Sequence, residues 1–454
     1  MAECSTRKIS RIHLKKDRIS VLPRNIQETI LCFLPIRDAV RTSVLSRSWR
    51  HCWTTIPNLV SDENILTAMS ITFDNCHGSE LAAVKFVSVI NKVLLLHNGP
   101  ILKFSLSFPS FCDGEIIHNY VDQWIPLFSR KGVKQLTLEG NCHGDLKACN
   151  YSSLDLTHLR LAFVWLPYTP AFRGLTYLRI IELIEVGASE QNIIFDCPVL
   201  EKLTLICTEL LPFNFRAPKL KILHQMYGGM TSEYSLAGLE NLKEFSCGLS
   251  YDPEMPKETS NVVKVFGNLH KIEKISIAKC FITYLAAGGS PNRFPNPLPY
   301  LKTLSISNIN LNCLSEVSCL LCLLRSAPNL CKLHISANQY AEEENFKDYW
   351  KEDFENYAVG HLEIVTFSYL KGLQVELELV KFLLAHTPLL KTMFIHRDPD
   401  VKKDVAIKML EEMVEFSRAS SRAQIKHLKC PSDAVDYGAW VNQLNIYVDE
   451  LIFL

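Results

Sequence analysis

Residues 197–205 read CPVLEKLTL, and the spacing of their leucines decides the fold. Leu200, Leu203 and Leu205 follow the pattern apolar-x-x-apolar-x-apolar, whose alternation puts one face of a short strand inward. The pattern recurs on both sides. Upstream it appears as Ile101-Phe104-Leu106, Val133-Leu136-Leu138, Leu156-Leu159-Leu161 and Leu178-Ile181-Leu183. Downstream comes a degraded copy, Leu220-Leu223-Gln225, followed by Leu242-Phe245-Cys247, Ile272-Ile275-Ile277 and Leu301-Leu304-Ile306. Leu330-Leu333-Ile335, Leu362-Val365-Phe367 and Leu390-Met393-Ile395 close the series. First positions from Val133 to Leu242 are 23, 22, 22, 20 and 22 residues apart, and elsewhere 28 to 32. No copy can bury its apolar residues alone. The period therefore predicts a solenoid of stacked parallel strands, each return segment covering the other side.

The return segments carry their own signals. Pro198, Pro218, Pro299, Pro328 and Pro388 each stand two residues before a first leucine, where proline ends the segment and forces an extended approach to the strand. Asn141, Cys280 and Asn338 fall three residues after the last apolar position, where a side chain can bond the turn backbone. Residues 80–97, 314–325 and 375–386 have helical apolar spacing, and a helix at 402–418 is expected to cap the open end of the core. Strand plus helix per unit predicts an α/β horseshoe.

Ahead of this array, residues 17–53 read DRISVLPRNIQETILCFLPIRDAVRTSVLSRSWRHCW. Leu22, Ile26, Ile30 and Leu34, each four apart, make one apolar helical stripe. Pro23 suits the first turn, and Pro35 stops the helix. Asp38 is placed to cap a second helix carrying Val40, Val44 and Leu45, and Ser46 precedes a third segment with Trp49 and Trp53. So short a module cannot bury every one of these side chains, and a surplus must face outward. That is the signature of a docking device.

Composition narrows the function class. The 454 residues are 48% hydrophobic and 21% charged, with zero formal net charge. That is a globular balance without bulk attraction to nucleic acid or anionic membrane. The 16 cysteines are scattered through apolar runs, which reads as reduced, buried thiols of an intracellular protein, nuclear or cytoplasmic. No secretory leader or membrane-spanning stretch is expected. The basic N-terminal cluster, Arg7 to Arg18, reads as a solvated tail. Cys319 and Cys322 form a CxxC without a second pair at zinc spacing, and no phosphate loop or HExxH occurs. Neither metal nor cofactor is expected, and no catalytic residue.

The run DRIS-x-LP-x-x-I-x-x-x-IL-x-FLPI-x-DAV-x-TSVLS-x-x-W resembles the F-box of plant F-box proteins, departing at Ser48, where a basic residue is usual. CPVLEKLTL, and GLQVELELVKFLLAHTPLLKTMFI within 362–398, resemble the plant F-box/FBD/leucine-rich-repeat family. The resemblance implies docking on a Skp-family adaptor, and through it on a cullin. By motif position the adaptor contacts are Leu22, Pro23, Ile26, Ile30, Leu34, Pro35, Val44, Leu45 and Trp49. The expected organisation is a flexible tail at 1–16, the F-box at 17–64 and the repeat array with an N-terminal capping helix at 65–361. An FBD region at 362–430 completes the array, and the tail at 431–454 alternates enough for a terminal strand. The implied function is the substrate receptor of a cullin-based ubiquitin ligase, itself non-catalytic. The alternative is an interaction scaffold without a ligase role.

A target would meet the residues between the inward ones: Thr137, Arg160, Glu182, Thr204, His224, Ser246, Ser276, Ser305, His334 and Thr366. Arg160, Glu182, His224, Ser276, Ser305 and His334 are the candidate contacts. Two loops, 287–299 and 340–357, offer a second surface, the latter with Tyr349, Trp350 and Phe354.

Overall fold

The computed structural model describes residues 18–61, 78–108, 114–140, 154–166, 175–188, 194–206, 214–226, 236, 238–248, 262–337 and 360–428. The N-terminal tail, the tail after 428, the loop at 340–357, Asn141 and Asn338 lie outside the described residues. The chain divides into two compact units, 1–160 and 161–454.

In the first unit, helices α1 (Arg24–Leu31) and α2 (Ile36–Arg41) lead into 3₁₀ turns at Thr42–Val44 and Cys52–Thr55. Strand β1 (Asn58–Ser61) follows, then helix α3 (Gly78–Leu96), β2 (Lys103–Ser107), helix α4 (Gly114–Lys131) and β3 (Gln135–Glu139). β1, β2 and β3 pair in parallel, Leu59 beside Phe104 and Phe104 beside Leu136. The helical module is thus no loose appendage. Its last residues are the first rung of the ladder, and the N–H groups of Asn98 and Gly99 donate to the Thr54 carbonyl. Both prolines of the module stand as N-caps, Pro23 before α1 and Pro35 before α2. Asp38 lies inside α2 rather than capping it, because Pro35 already sets the extended N-cap geometry.

Strand β4 (His158–Ala162) crosses the division. The second unit continues with β5 (Ile180–Ile184), β6 (Lys202–Ile206), β7 (Ile222–Met226), β8 (Glu244–Gly248), helix α5 (Val262–Phe266) and β9 (Lys274–Ala278). Then come helix α6 (Lys279–Ala287), β10 (Thr303–Ile309), α7 (Leu314–Ser326), β11 (Lys332–Ala337) and β12 (Ile364–Leu370). Helix α8 (Gln374–His386), β13 (Thr392–Arg397), α9 (Lys403–Glu415) and β14 (Gln424–Leu428) complete it. From β5 to β14 successive strands pair in parallel. Leu203, Leu223, Phe245, Ile275, Leu304, Leu333 and Val365 form one buried row across it. In the next inward row Gln225 replaces a leucine and is buried all the same.

The prolines do something more specific than ending a segment. The N–H of Leu200 donates to the Cys197 carbonyl at 3.1 Å, closing a β-turn with Pro198 in its second position. Leu220, Leu301, Leu330 and Leu390 close the same turn around Pro218, Pro299, Pro328 and Pro388. Leu178, Leu242 and Ile272 close it without proline. Proline fixes in advance the φ that this position needs.

Two sequence expectations are corrected at the C-terminal end. Cys280 lies within α6, not in a turn. α9 does not end the ladder: β14 adds a rung beyond it, Met393 beside Ile425. That rung is approached through Arg422 and Ala423, without the leucine that marks the others.

Candidate functional site

The module at 18–61 sorts its apolar side chains into two sets. Leu31, Ile36, Ala39, Trp49, Cys52, Trp53 and Ile56 are buried and make its core. Ile26, Ile30, Phe33, Val44 and Leu45 are exposed, Phe33 by 83% and Val44 by 88%. α1 turns Gln27 and Leu31 inward, so the side bearing Ile26 and Ile30 faces away from the core. Phe33 extends it at the next helical step, three residues past Ile30.

A polar lattice holds these elements in place. The Gln27 amide donates to the Leu22 carbonyl at 3.0 Å, and its oxygen accepts from the Cys52 thiol at 3.0 Å. Glu28 accepts from the Thr55 hydroxyl at 2.7 Å and from Arg24 Nε at 3.0 Å. The Thr55 bond, assisted by Arg24, lowers the Glu28 pKa against the opposing effect of burial. Ser48, the departure from the motif, donates to the Ser20 carbonyl at 3.2 Å. The surface so presented is built on exposed apolar side chains. It can dock, by burying apolar side chains against a partner.

The structure separates the predicted adaptor contacts. Pro23, Ile26, Ile30, Val44 and Leu45 are exposed, while Leu22, Leu34 and Pro35 are half-buried. Trp49 is corrected to a core residue, 2% exposed, its indole N–H bonded to the Ile19 carbonyl. Phe33 and Val21, both exposed, were missed. The stripe of residues four apart does not include them, although the 26, 30, 33 spacing carries the Phe33 signal.

The sheet face is assembled by register as expected: Glu182, Thr204, His224, Ser246, Ser276, Ser305, His334 and Thr366 stand side by side. It is not the open stripe the sequence implies. Thr204, His224, Ser246, Ser276 and Ser305 are buried. These are short side chains and one imidazole, set between longer neighbours. Lys202, Glu244 and Lys274 flank them on one side, and Ile184, Ile206 and Met226 on the other. Burial, with smaller effects from Glu244, Lys202 and Lys274, pushes the His224 imidazole down to about 4, so it is neutral at pH 7. Burial, aided by His396, does the same to His334, whose Nε2 lies 3.0 Å from Ser368 Oγ. Arg160 and Glu182 are half-buried and paired, Arg160 with Glu139 at 2.7 Å and Glu182 with Lys202 at 3.0 Å. Thr137 and Thr366 are half-buried too.

Cys319 and Cys322 are buried thiols raised by burial to about 12 and about 11. Among the described residues no group of three or more His, Cys, Asp or Glu could hold a metal ion. No helix among them is long and apolar enough to cross a membrane.

Comparison with known proteins finds three family models that match this chain. An F-box domain model matches residues 19–61. A model of the leucine-rich repeats of the FBD-associated F-box protein At5g56370 matches 121–335, and an FBD model matches 359–395. The F-box/FBD/LRR-repeat protein At1g13570 of Arabidopsis thaliana is 34% identical over 91% of this chain and 99% of its own length. A second Arabidopsis thaliana relative, the F-box/FBD/LRR-repeat protein At5g56420, is 23% identical over 90% of this chain and 98% of its own. Among solved structures, an internalin from Listeria monocytogenes matches with a TM-score of 0.34 and 13% identity, over 76% of this chain and 90% of that one.

Proposed function

Since the chain belongs to the plant F-box/FBD/leucine-rich-repeat family, we propose that it is the substrate-recognition subunit of a Skp–cullin–F-box ubiquitin ligase. Proteins of this family are typically non-catalytic adaptors. The observation that carries the reading is the exposed apolar set Ile26, Ile30, Phe33, Val44 and Leu45 on an otherwise well-packed module. A folded protein leaves several large apolar side chains on one small module chiefly where a partner covers them. The partner of that surface is a Skp-family adaptor, which brings a cullin. The repeat array holds the target.

Catalysis in such a complex is positional. Holding a target lysine near a charged conjugating enzyme raises its effective concentration, and this chain supplies neither nucleophile nor base. The test is co-purification of the intact protein with a Skp-family adaptor, followed by ubiquitin transfer in the reconstituted complex. Failure to retain the adaptor, where a control F-box protein retains it, would sink the proposal. Retention without ubiquitin transfer to any bound protein would favour the scaffold alternative.

A further inference from the structure

Among the described residues the ladder stops at β14, and its last rung is unlike the others. Met393 and Ile395 on β13 are fully buried. Opposite them stand Ile425 and His427, of which the first is half-buried and the second exposed. The core is open on this side, and so is the backbone. Gln424 gives its N–H to the Lys391 carbonyl at 3.1 Å, and alternate residues of a strand turn these groups to opposite sides. Ile425 and His427 accordingly aim theirs at the far edge, which no described strand occupies. An edge of this kind is a template for another strand. The helical layer ends in the same way. α9 buries Ala406, Met409 and Met413, whereas Ile407 and Val414, two turns apart beside that stripe, are exposed.

The chain continues for at least 26 residues past Leu428, and they carry the pattern of the repeats. Val441-Leu444-Ile446 reads apolar-x-x-apolar-x-apolar. Leu444 stands 19 residues after Ile425, against 20 from Leu203 to Leu223. A strand at 443–447 would leave the 14 residues 429–442 for the return, where β6 and β7 are joined by the 15 residues 207–221. At about 3.3 Å per residue that length runs back along a five-residue strand with room to spare. The same 14 residues hold Val435 and Trp440, apolar side chains suited to the open flank of α9.

We infer that residues 429–447 of this chain add one further turn to the array. Strand 443–447 pairs in parallel with β14, Leu444 and Ile446 cover Ile425 and His427, and the return segment lies on α9. This turn closes the core and covers an edge that otherwise invites pairing with other chains. The inference is independent of the ligase reading. Its test is hydrogen exchange of the purified full chain, resolved to single amides. The Ile425 and His427 amides should exchange slowly, and Leu444→Asp with Ile446→Asp should speed both by about tenfold or more. Exchange in β10 to β12 should not change, which shows that the variant is folded. Leu444→Ala reads the same two amides should the charged pair unfold the array. Light scattering should give the mass of one chain at every concentration. Fast exchange of both amides in the unaltered protein would overturn the inference without recourse to any variant. So would equal protection in the unaltered protein and a folded variant. Protection that grows with concentration, together with a doubled mass, would assign the edge to a second copy instead.

Discussion

The indole N–H of Trp49 donates to the carbonyl oxygen of Ile19 at 3.2 Å, tying the turn after α2 to the segment that leads into α1. With Ser48 bonded to the Ser20 carbonyl, two successive residues hold that leading segment in place. Trp49 therefore acts on docking through the shape of the module. Trp49→Ala should destabilise the first unit by about 3–5 kcal/mol, the range for emptying a tryptophan-sized site. Adaptor capture should then fail only because the module opens. Limited proteolysis would check this: cleavage within the module should rise together with the loss of capture. Lost capture with unchanged protease resistance would return Trp49 to the docking surface.

Phe33 is the opposite case. It is 83% exposed and supports nothing in the module's core. Phe33→Ala should leave the thermal midpoint within about 1 °C and weaken adaptor affinity tenfold or more, as for a central aromatic anchor. Ile30→Asp should do the same more strongly. Calorimetric titration against the purified adaptor reads the affinity, and a melting curve on the same sample reads the stability. A lowered midpoint with unchanged affinity would mean these side chains belong to the fold.

Much of this architecture is legible in the sequence. The leucine spacing marks each rung from Ile101 to Ile395 because burial on one face of a strand leaves a period-two trace that short loops do not blur. β14 left no such trace, since Ala423 leads into it and Ile425, opposite Met393, is itself only half-buried. The function of the prolines was half visible. Their position was plain, but the turn they occupy is defined by a hydrogen bond to the residue before them, which spacing cannot show. The sheet face was right in register and wrong in exposure. Which residues share a row follows from alternation, whereas how deeply Thr204 or Ser246 sinks depends on the length of its neighbours on adjacent strands. In the helical module the motif could not separate Trp49 from Val44, because both are apolar and only packing tells them apart.

The junction between the module and its first rungs allows a sharper experiment. A Cβ at Gly99 would lie 2.8 Å from the Thr55 carbonyl oxygen and 3.0 Å from its Cα. These are backbone atoms of the 3₁₀ turn and cannot swing aside. Gly99→Ala should therefore cost about 1–3 kcal/mol by overpacking and loosen the 3₁₀ turn from β2. Hydrogen exchange at the Asn98 and Leu102 amides, bonded to the Thr54 and Pro57 carbonyls, should quicken before exchange in β10 to β13 does. Uniform change along the chain would mean that the ladder unfolds as one body.

Glu376 predicts a pH dependence that originates in the C-terminal part of the array. Its carboxylate accepts from the backbone N–H groups of Lys371, Gly372 and Leu373 at 3.0, 2.8 and 3.0 Å, closing the loop before α8. Those bonds favour the ionised form, yet burial outweighs them and raises the carboxyl from its ordinary 4.5 to about 7. Between those values the folded protein keeps a proton that the unfolded chain has released. The contribution of Glu376 to stability is therefore fully present below about 4.5 and is lost as pH rises through about 7. In Glu376→Gln the amide oxygen can still accept from the loop, and no proton is exchanged. Urea midpoints of the two proteins, measured across that window, should show the wild type losing stability relative to the variant as pH rises. A constant difference, or one that moves in favour of the wild type toward alkaline pH, would show that the three N–H donors hold the carboxylate ionised in the fold.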